Sequence, residues 1–398
     1  MNFDEKHCSG CGACISICPK ECISFITNDR GNIIPRIDEQ LCIHCNLCKK
    51  TCPREHLTKK NRPLNCYAAY TKDNNKRLDS ASGGIARIMY ENFLEKENSY
   101  IVGVCWDKEF NPIFKITRNK DDIRLFQGSK YAQAFPNRIY KDIGEKIKEG
   151  NRVLFIAMPC QIAGMIKYCE VKKIDTTYLI LVDILCHGVS PAQYLKEEID
   201  YYKDKWNINN IHNISFRSNR KFSNFHLSIS YTHKNNNKKF NRYFDEDPYF
   251  NSFLIASTLR ESCYSCEYSC TQRTGDITIG DFIGLGKMPS STAFIGNPIN
   301  ASMILCNTPK GIDFKNDIKE YLYIVERTFQ EAYEGGASLQ SPFPVSNLRN
   351  KFINKYKKGQ FVQTIKKIEP IKYKIKKIKL AIIRIIKEFY MKFNNFNY

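Results

Sequence analysis

The chain has 398 residues with 61 Lys+Arg, 41 Asp+Glu and 18 cysteines, so two or three domains are expected rather than one. At 42% hydrophobic and 26% charged it is globular, which excludes a mostly disordered chain, and no window reaches the ~18–20 unbroken apolar residues of a membrane span. Of the net charge of +20, residues 349–398 supply +13, so the basic character belongs mainly to the C-terminal end and not to a nucleic-acid-binding surface.

The start, MNFDEKHC, is acidic and lacks an apolar signal region, so a cytoplasmic protein is expected. Eighteen cysteines in such a chain point to metal or redox chemistry instead of a disulfide framework. Residues 1–57 contain an internal repeat. CSGCGACISICP (8–19) and CIHCNLCKKTCP (42–53) both read Cys-x2-Cys-x2-Cys-x3-Cys-Pro. Three cysteines at this spacing wrap one iron–sulfur cubane, and the fourth, turned away by the proline, reaches the partner cluster. One 4Fe-4S cluster is therefore assigned Cys8, Cys11, Cys14 and Cys52, the other Cys18, Cys42, Cys45 and Cys48. Paired zinc sites are the alternative, but zinc does not call for four cysteines and a proline twice over. Cys22 falls outside the spacing and reads as a buried apolar thiol.

TKKNRPL (58–64) reads as a linker into an α/β pattern. A strand at 66–71, a helix over 82–96 entered through Ser82, Gly83 and Gly84, and a hairpin of 100–106 with 112–118 are predicted. A helix over 141–150, the strand RVLFIAM, a helix from Gln161, the strand at 178–185 and a helix from Pro191 follow the β-α-β rhythm of a parallel sheet. Polar strands, the cluster CYSCEYSC, strands at 276–282 and 301–307 and a helix over 312–322 complete the pattern. Cys160 and Cys186 each follow a predicted strand, at the carboxyl edge where ligands bind in parallel sheets. Two lone cysteines plus a Cys-x2-Cys pair can close a four-thiolate site, with Cys263, Cys266 and Cys270 available for the pair. Buried small hydrophobes are the plain alternative for Cys160 and Cys186, and the reading adopted for Cys66, Cys105, Cys169 and Cys306.

The motifs SGG (82–84), QGSKYAQ (127–133), LFIAMPCQIAG (154–164), ILCHGVS (184–190) and LRESCYSCEYSCTQRTGDITIGDFIGLG (259–286), behind a dicluster ferredoxin segment, resemble the beta subunit of coenzyme F420-reducing hydrogenases and dehydrogenases. Chlorophyll-derivative reductases are similar too. The resemblance covers about residues 1–345. It implies FAD beside a third 4Fe-4S cluster held by Cys160, Cys186, Cys263 and Cys266, with Cys270 an extra cysteine and Ile283 standing where an aromatic is usual. A flavin suits this wiring because it couples hydride to single electrons. Ser82, Gly83 and Gly84 would then offer backbone N–H groups to a pyrophosphate, Ser129 and Lys130 would meet a phosphate or reduced flavin, and Asp281 would bind hydroxyls. Each has a plain alternative: a helix N-cap, a solvated lysine, a strand-end turn. His187 is the best general acid–base candidate, although a structural histidine is the more ordinary reading. No GxGxxG, Walker A loop, Ser-His-Asp series or HExxH motif is present.

In the tail, Ile371, Ile375, Ile378, Ile382, Ile385, Phe389 and Phe393 recur at steps of three and four among lysines and Arg384. This predicts a basic amphipathic helix, either peripheral at the inner face of the cell membrane or docked on protein.

The expected fold is an α+β ferredoxin-like dicluster module (1–57) followed by an α/β flavin- and iron–sulfur-binding domain (65–140 and 141–345) and the basic tail (346–398). The expected function is an iron–sulfur flavoprotein oxidoreductase. Its partners would be a redox protein, such as ferredoxin or a hydrogenase or dehydrogenase subunit, and a two-electron small molecule. A reductase of a glycan or lipid-linked intermediate, and an electron-transfer subunit without its own substrate, stand as alternatives.

Overall fold

The computed structural model describes residues 5–208, 210–217, 225–233, 236–286, 301–369, 371, 374–375, 378–383 and 385–386. Two compact units emerge: Met1–Ala192 with Leu259–Pro344, and Gln193–Thr258 with Val345–Tyr398. This grouping has no break at 57 or 140, changes unit after 192 and 258, and changes again at 344–345, beside the expected boundary at 345. The cysteine-rich module does not stand alone, because Cys11, Ala13 and Ile17 are buried in one core with Tyr140, Ile143, Phe155 and Met165.

In the first unit, β1 (Ile23–Thr27) and β2 (Ile33–Ile37) form an antiparallel pair between the short helices Ala13–Ile17 and Leu47–Lys50. Behind them lies an eight-stranded sheet built from β3 (Asn65–Thr71), β4 (Ser99–Trp106), β5 (Pro112–Thr117), β6 (Arg152–Ala157) and β7 (Leu179–Ile184). In the second unit, β8 (Asn210–Arg217), β9 (Phe225–His233) and β10 (Asn236–Tyr243) make a separate antiparallel sheet. The large sheet is completed by β11 (Ile277–Asp281), β12 (Ser302–Cys306) and β13 (Leu322–Arg327), in the order β13-β3-β12-β11-β7-β6-β4-β5.

The centre of that sheet, β11-β7-β6-β4, is parallel, as the β-α-β rhythm predicts. Its strands are apolar on both faces because helices cover both. Leu154, Ile156, Ile180 and Val182 face the helices Ile85–Phe93 and Pro309–Ile318. Val153, Phe155, Leu179 and Leu181 face Ile139–Lys148 and Pro159–Lys172. The flanks differ from expectation: β12 and β13 run antiparallel to their neighbours, and β13 and β10 carry no clear strand pattern in the sequence.

The second unit packs the helix that begins at Ala192 against Pro248–Leu254, Arg349–Lys355 and Phe361–Ile368 around an aromatic core. Tyr194 stacks on Phe361 with centroids 5.1 Å apart and meets Phe352 at 5.3 Å. The described residues of 371–386 are helical, and their isoleucines are exposed, from 47% at Ile383 to 74% at Ile371. Phe389 and Phe393 of the predicted stripe lie outside the described residues. Among the described residues no helix is long and apolar enough to cross a membrane.

Candidate functional site

The repeat folds so that its cysteines regroup across the two copies. Burial pushes the Cys11 thiol up to about 12, and the charges of Cys52 and Cys8 push the same way. Cys14 is likewise raised by burial, then by Cys11, Cys8 and Cys52. Cys52 thus lies beside the first three cysteines of the other repeat, where the crossed spacing puts it. Burial also raises Cys48, with Cys45 and Cys18 adding to it. Cys22 is 6% exposed, with its sulfur 3.4 Å from that of Cys18, in an apolar patch with Ile15 and Ile23. Thiols this buried do not ionise alone; a metal centre supplies the positive charge that holds them as thiolates. The first set therefore fits the cluster chemistry that its spacing predicts, while the second is more open, with Cys45 exposed.

A third group gathers at the carboxyl edge of the large sheet. Cys160 sits in the first turn of the helix Pro159–Lys172, directly after β6, where the helix dipole favours negative charge. Cys186 follows β7, and Cys263 and Cys266 lie in and just after the 3-10 turn Glu261–Ser265. All four line one cleft, together with His7 and Arg54 of the dicluster module. The Cys160 thiol is raised by burial first, then by Cys186, Cys266, Cys11 and Cys263. Cys186 is pushed up to about 12 by burial and then by Cys263 and Cys266. Cys270 stands apart. Its sulfur lies 3.3 Å from the Gln272 carbonyl, 3.4 Å from that of Glu267 and 3.7 Å from Lys60 Nζ. Of the three candidates for the pair, Cys263 and Cys266 are the two that the fold brings to Cys160 and Cys186.

A buried ion pair fixes the loop that carries these cysteines. Arg273 Nη2 donates to Asp183 Oδ1 at 2.7 Å, with both side chains about fully buried. Asp183 also accepts from the backbone N–H groups of Thr274 and Gly275, while Arg273 Nη1 donates to the Tyr268 carbonyl at 3.0 Å. The visible sign in the sequence is one carboxylate inside the apolar strand LILVDI. Lys60 Nζ adds a bond to the Glu267 carbonyl at 2.7 Å.

The residues assigned to a flavin fall into two places. Gly83 N–H donates to Ser302 Oγ at 2.9 Å, Ser82 Oγ to the Ala301 carbonyl at 3.3 Å, and Asp281 is the register partner of Ser302. Ser82, Gly83 and Asp281 thus converge at one end of β11 and β12. A Cβ on Gly83 would meet the Ala69 carbonyl at 2.5 Å, so close backbone approach already explains that glycine. Gly84 caps the helix Ile85–Phe93 in the left-handed region, at φ 83°. Lys130, beside Ser129, donates to the Gln127 carbonyl at 3.0 Å, and burial lowers it to about 8, with the Cys105 thiol opposing. His187 lines the cysteine cleft with its ring 3.8 Å from that of Phe343.

Sequence reasoning missed Arg260 and Gln133. Arg260 is 1% exposed; its Nε donates to the Cys8 carbonyl at 2.6 Å, and its Nη1 to Ile33 O at 2.8 Å and to Gln133 Oε1 at 3.0 Å. No local pattern announces an arginine whose partners are this far away in the chain.

Residues 7–56 match the family described as 4Fe-4S dicluster domain, and residues 150–332 match the family described as the C terminus of the coenzyme F420 hydrogenase/dehydrogenase beta subunit. The chain thus carries a segment matching a 4Fe-4S dicluster domain ahead of one matching the C terminus of F420 hydrogenase/dehydrogenase beta subunits. It is an iron–sulfur electron-transfer protein of an oxidoreductase family. All eight repeat cysteines and all four cleft cysteines fall within the two matched ranges, whereas Ser82–Gly84, Ser129 and Lys130 fall between them. Among solved structures, the chain is similar to one in the F420-reducing [NiFe] hydrogenase complex from Methanosarcina barkeri. Identity is 15%, over 69% of this chain and 86% of that one, with a TM-score of 0.44. No curated protein matches the chain.

Proposed function

We propose that the chain is an iron–sulfur flavoprotein oxidoreductase in which Cys160, Cys186, Cys263 and Cys266 hold a third 4Fe-4S cluster between the dicluster module and FAD. The observation that carries this reading is the shared cleft: Cys11 of the first cluster set acts electrostatically on Cys160, and His7 and Arg54 line the same space as the four cysteines. A flavin, when bound, supplies the exchange between one electron and two. Ser82, Gly83, Gly84 and Asp281 would hold its polar groups at one sheet edge. Lys130, lowered to about 8, would place a positive charge where negative charge develops, and its own proton is weakly enough held to be shared. His187 would narrow the mouth of the cleft against Phe343. The partners in this reading are a redox protein, such as ferredoxin or a hydrogenase or dehydrogenase subunit, and a two-electron organic molecule.

The test is anaerobic metal and flavin analysis of intact protein, followed by reduction with ferredoxin. About twelve irons and one FAD per chain are expected, with flavin bleaching after ferredoxin is added. Zinc, or about eight irons in undamaged protein, overturns the three-cluster reading.

A second element concerns the tail. Ile371, Ile375, Ile378, Ile382 and Ile385 are exposed as the predicted stripe requires, and Ile383 and Ile386 widen it. With the surrounding lysines, this favours peripheral contact with an anionic membrane surface over a helix docked on its own unit.

A further inference from the structure

Arg260 and Arg273, each 1% exposed, are the most deeply buried arginines among the described residues of the first unit, and they are compensated differently. Arg273 has the Asp183 carboxylate at 2.7 Å. Arg260 has no carboxylate among the described residues. Its three side-chain bonds end on neutral oxygens, those of Cys8, Ile33 and Gln133, and Nη2 has no partner among the described residues. A buried cation without a counter-charge is among the costliest things a fold can contain. The chain nevertheless packs tightly around it. Gln133 Nε2 donates to the Ser9 carbonyl at 3.1 Å, and a Cβ on Gly10 would lie 2.5 Å from Gln133 Nε2 and 3.1 Å from Arg260 Nη1. Glycine at position 10 leaves room for the pair.

The position of Arg260 identifies the missing anion. Its side chain holds the carbonyl of Cys8, a ligand of the first cluster set. Its backbone N–H donates to the Val189 carbonyl at 2.7 Å, in the loop that carries Cys186, and its own carbonyl accepts from Cys263 N–H at 2.9 Å. One residue therefore ties together the loops of the first and third cysteine groups. A 4Fe-4S centre with four thiolates carries a net charge of about −2 when oxidised and about −3 when reduced.

We infer that Arg260 is the fixed counter-charge of the first and third clusters, a positioning residue that raises their reduction potentials and docks the dicluster module on the sheet domain. The inference rests on the three-cluster reading for the third cluster alone; its effect on the first cluster stands on the dicluster spacing. Arg260 bonds to the Cys8 loop and not to those of Cys42, Cys45 and Cys48, so the second cluster serves as an internal control.

The experiment is an EPR-monitored redox titration of the fully loaded protein and two variants. Arg260→Gln removes the charge. Gln133→Glu keeps the guanidinium and places a carboxylate on its Nη1. In both variants the first and third clusters should become harder to reduce by about tenfold in the ratio of reduced to oxidised centre, or ~59 mV for one electron, with the second unmoved. Arg260→Lys should restore most of the difference. If Arg260→Gln loses its clusters, Gln133→Glu decides alone. Unchanged potentials in loaded Gln133→Glu, or an equal shift in all three clusters, overturn the inference. Absence of the third cluster from wild-type protein defeats the three-cluster reading, while the first cluster still reports on Arg260.

Discussion

The two units differ in how some of their buried charge is answered. In the first, Arg260 and Arg273 are buried beside the loops that carry the cysteine groups, and Arg260 meets no carboxylate among the described residues. In the second, three buried acids, Glu197, Glu198 and Asp247, each hold the backbone. Glu197 accepts from Tyr356 Oη at 2.7 Å and from Phe361 N–H at 2.9 Å, clamping the helix Phe361–Ile368. Asp247 caps the helix Pro248–Leu254 at Phe250 N–H and accepts from Tyr202 Oη. Glu198 accepts from Tyr249 N–H at 3.0 Å. A buried charge answered within its own fold is scaffolding, whereas one left unanswered points to something the fold is built to hold.

The contrast can be broken most forcefully at the cleft. Cys266→Ala should remove one cluster, lowering iron from about twelve atoms to about eight and stopping ferredoxin-driven flavin reduction, with the dicluster EPR signals intact. Loss of all iron would instead mark general unfolding. Next in size is Asp183→Ala, which leaves Arg273 buried and unpaired. A loss of about 3–5 kcal/mol is expected in chemical denaturation, while the paired replacement Asp183→Leu with Arg273→Met should cost much less.

A smaller effect is expected in the second unit. Burial first, then the charge of Asp247, holds the Glu198 carboxyl well above its ordinary value of 4.5. The folded unit therefore binds a proton that the unfolded chain releases above that value. The stability from this group is complete below it and is lost as pH rises towards the raised value. Glu198→Gln keeps an acceptor for Tyr249 N–H and should flatten that decline, giving a more stable protein at pH 8 than wild type. An unchanged pH profile by thermal melting would place the charge elsewhere.

The smallest structural effect belongs to the tail. Truncation before Pro370 should leave iron, flavin and melting temperature unchanged while abolishing sedimentation with anionic vesicles. High salt should release the full-length protein, because each basic residue held near the surface contributes only about 1 kcal/mol. Equal sedimentation of both forms would remove the membrane contact from the second unit's role.

Much of the central sheet was legible because β6 and β7 are apolar on both faces and are followed by amphipathic helices. β10, with exposed NNKK at its start, and β13 were not, since their strand character comes from neighbours in the sheet and not from their own alternation. The second unit was hidden for a related reason. Its core joins Tyr194 to Phe352 and Phe361 across residues 259–344, which fold in the first unit.

The cysteine spacing alone marked residues 7–56 as a dicluster segment, because a cubane imposes local geometry on a short loop and spacing records that geometry directly. Cys160 and Cys186 were marked by their places after apolar strands. Tertiary structure decided that Cys263 and Cys266 face the cleft while Cys270 turns to backbone carbonyls. It also decided that Arg273 finds Asp183 and that Arg260, among the described residues, finds no carboxylate. Arg260 reaches Cys8 across 252 residues of chain. Compensation of a buried charge depends on everything packed within a few ångströms, and only the folded chain brings those groups together.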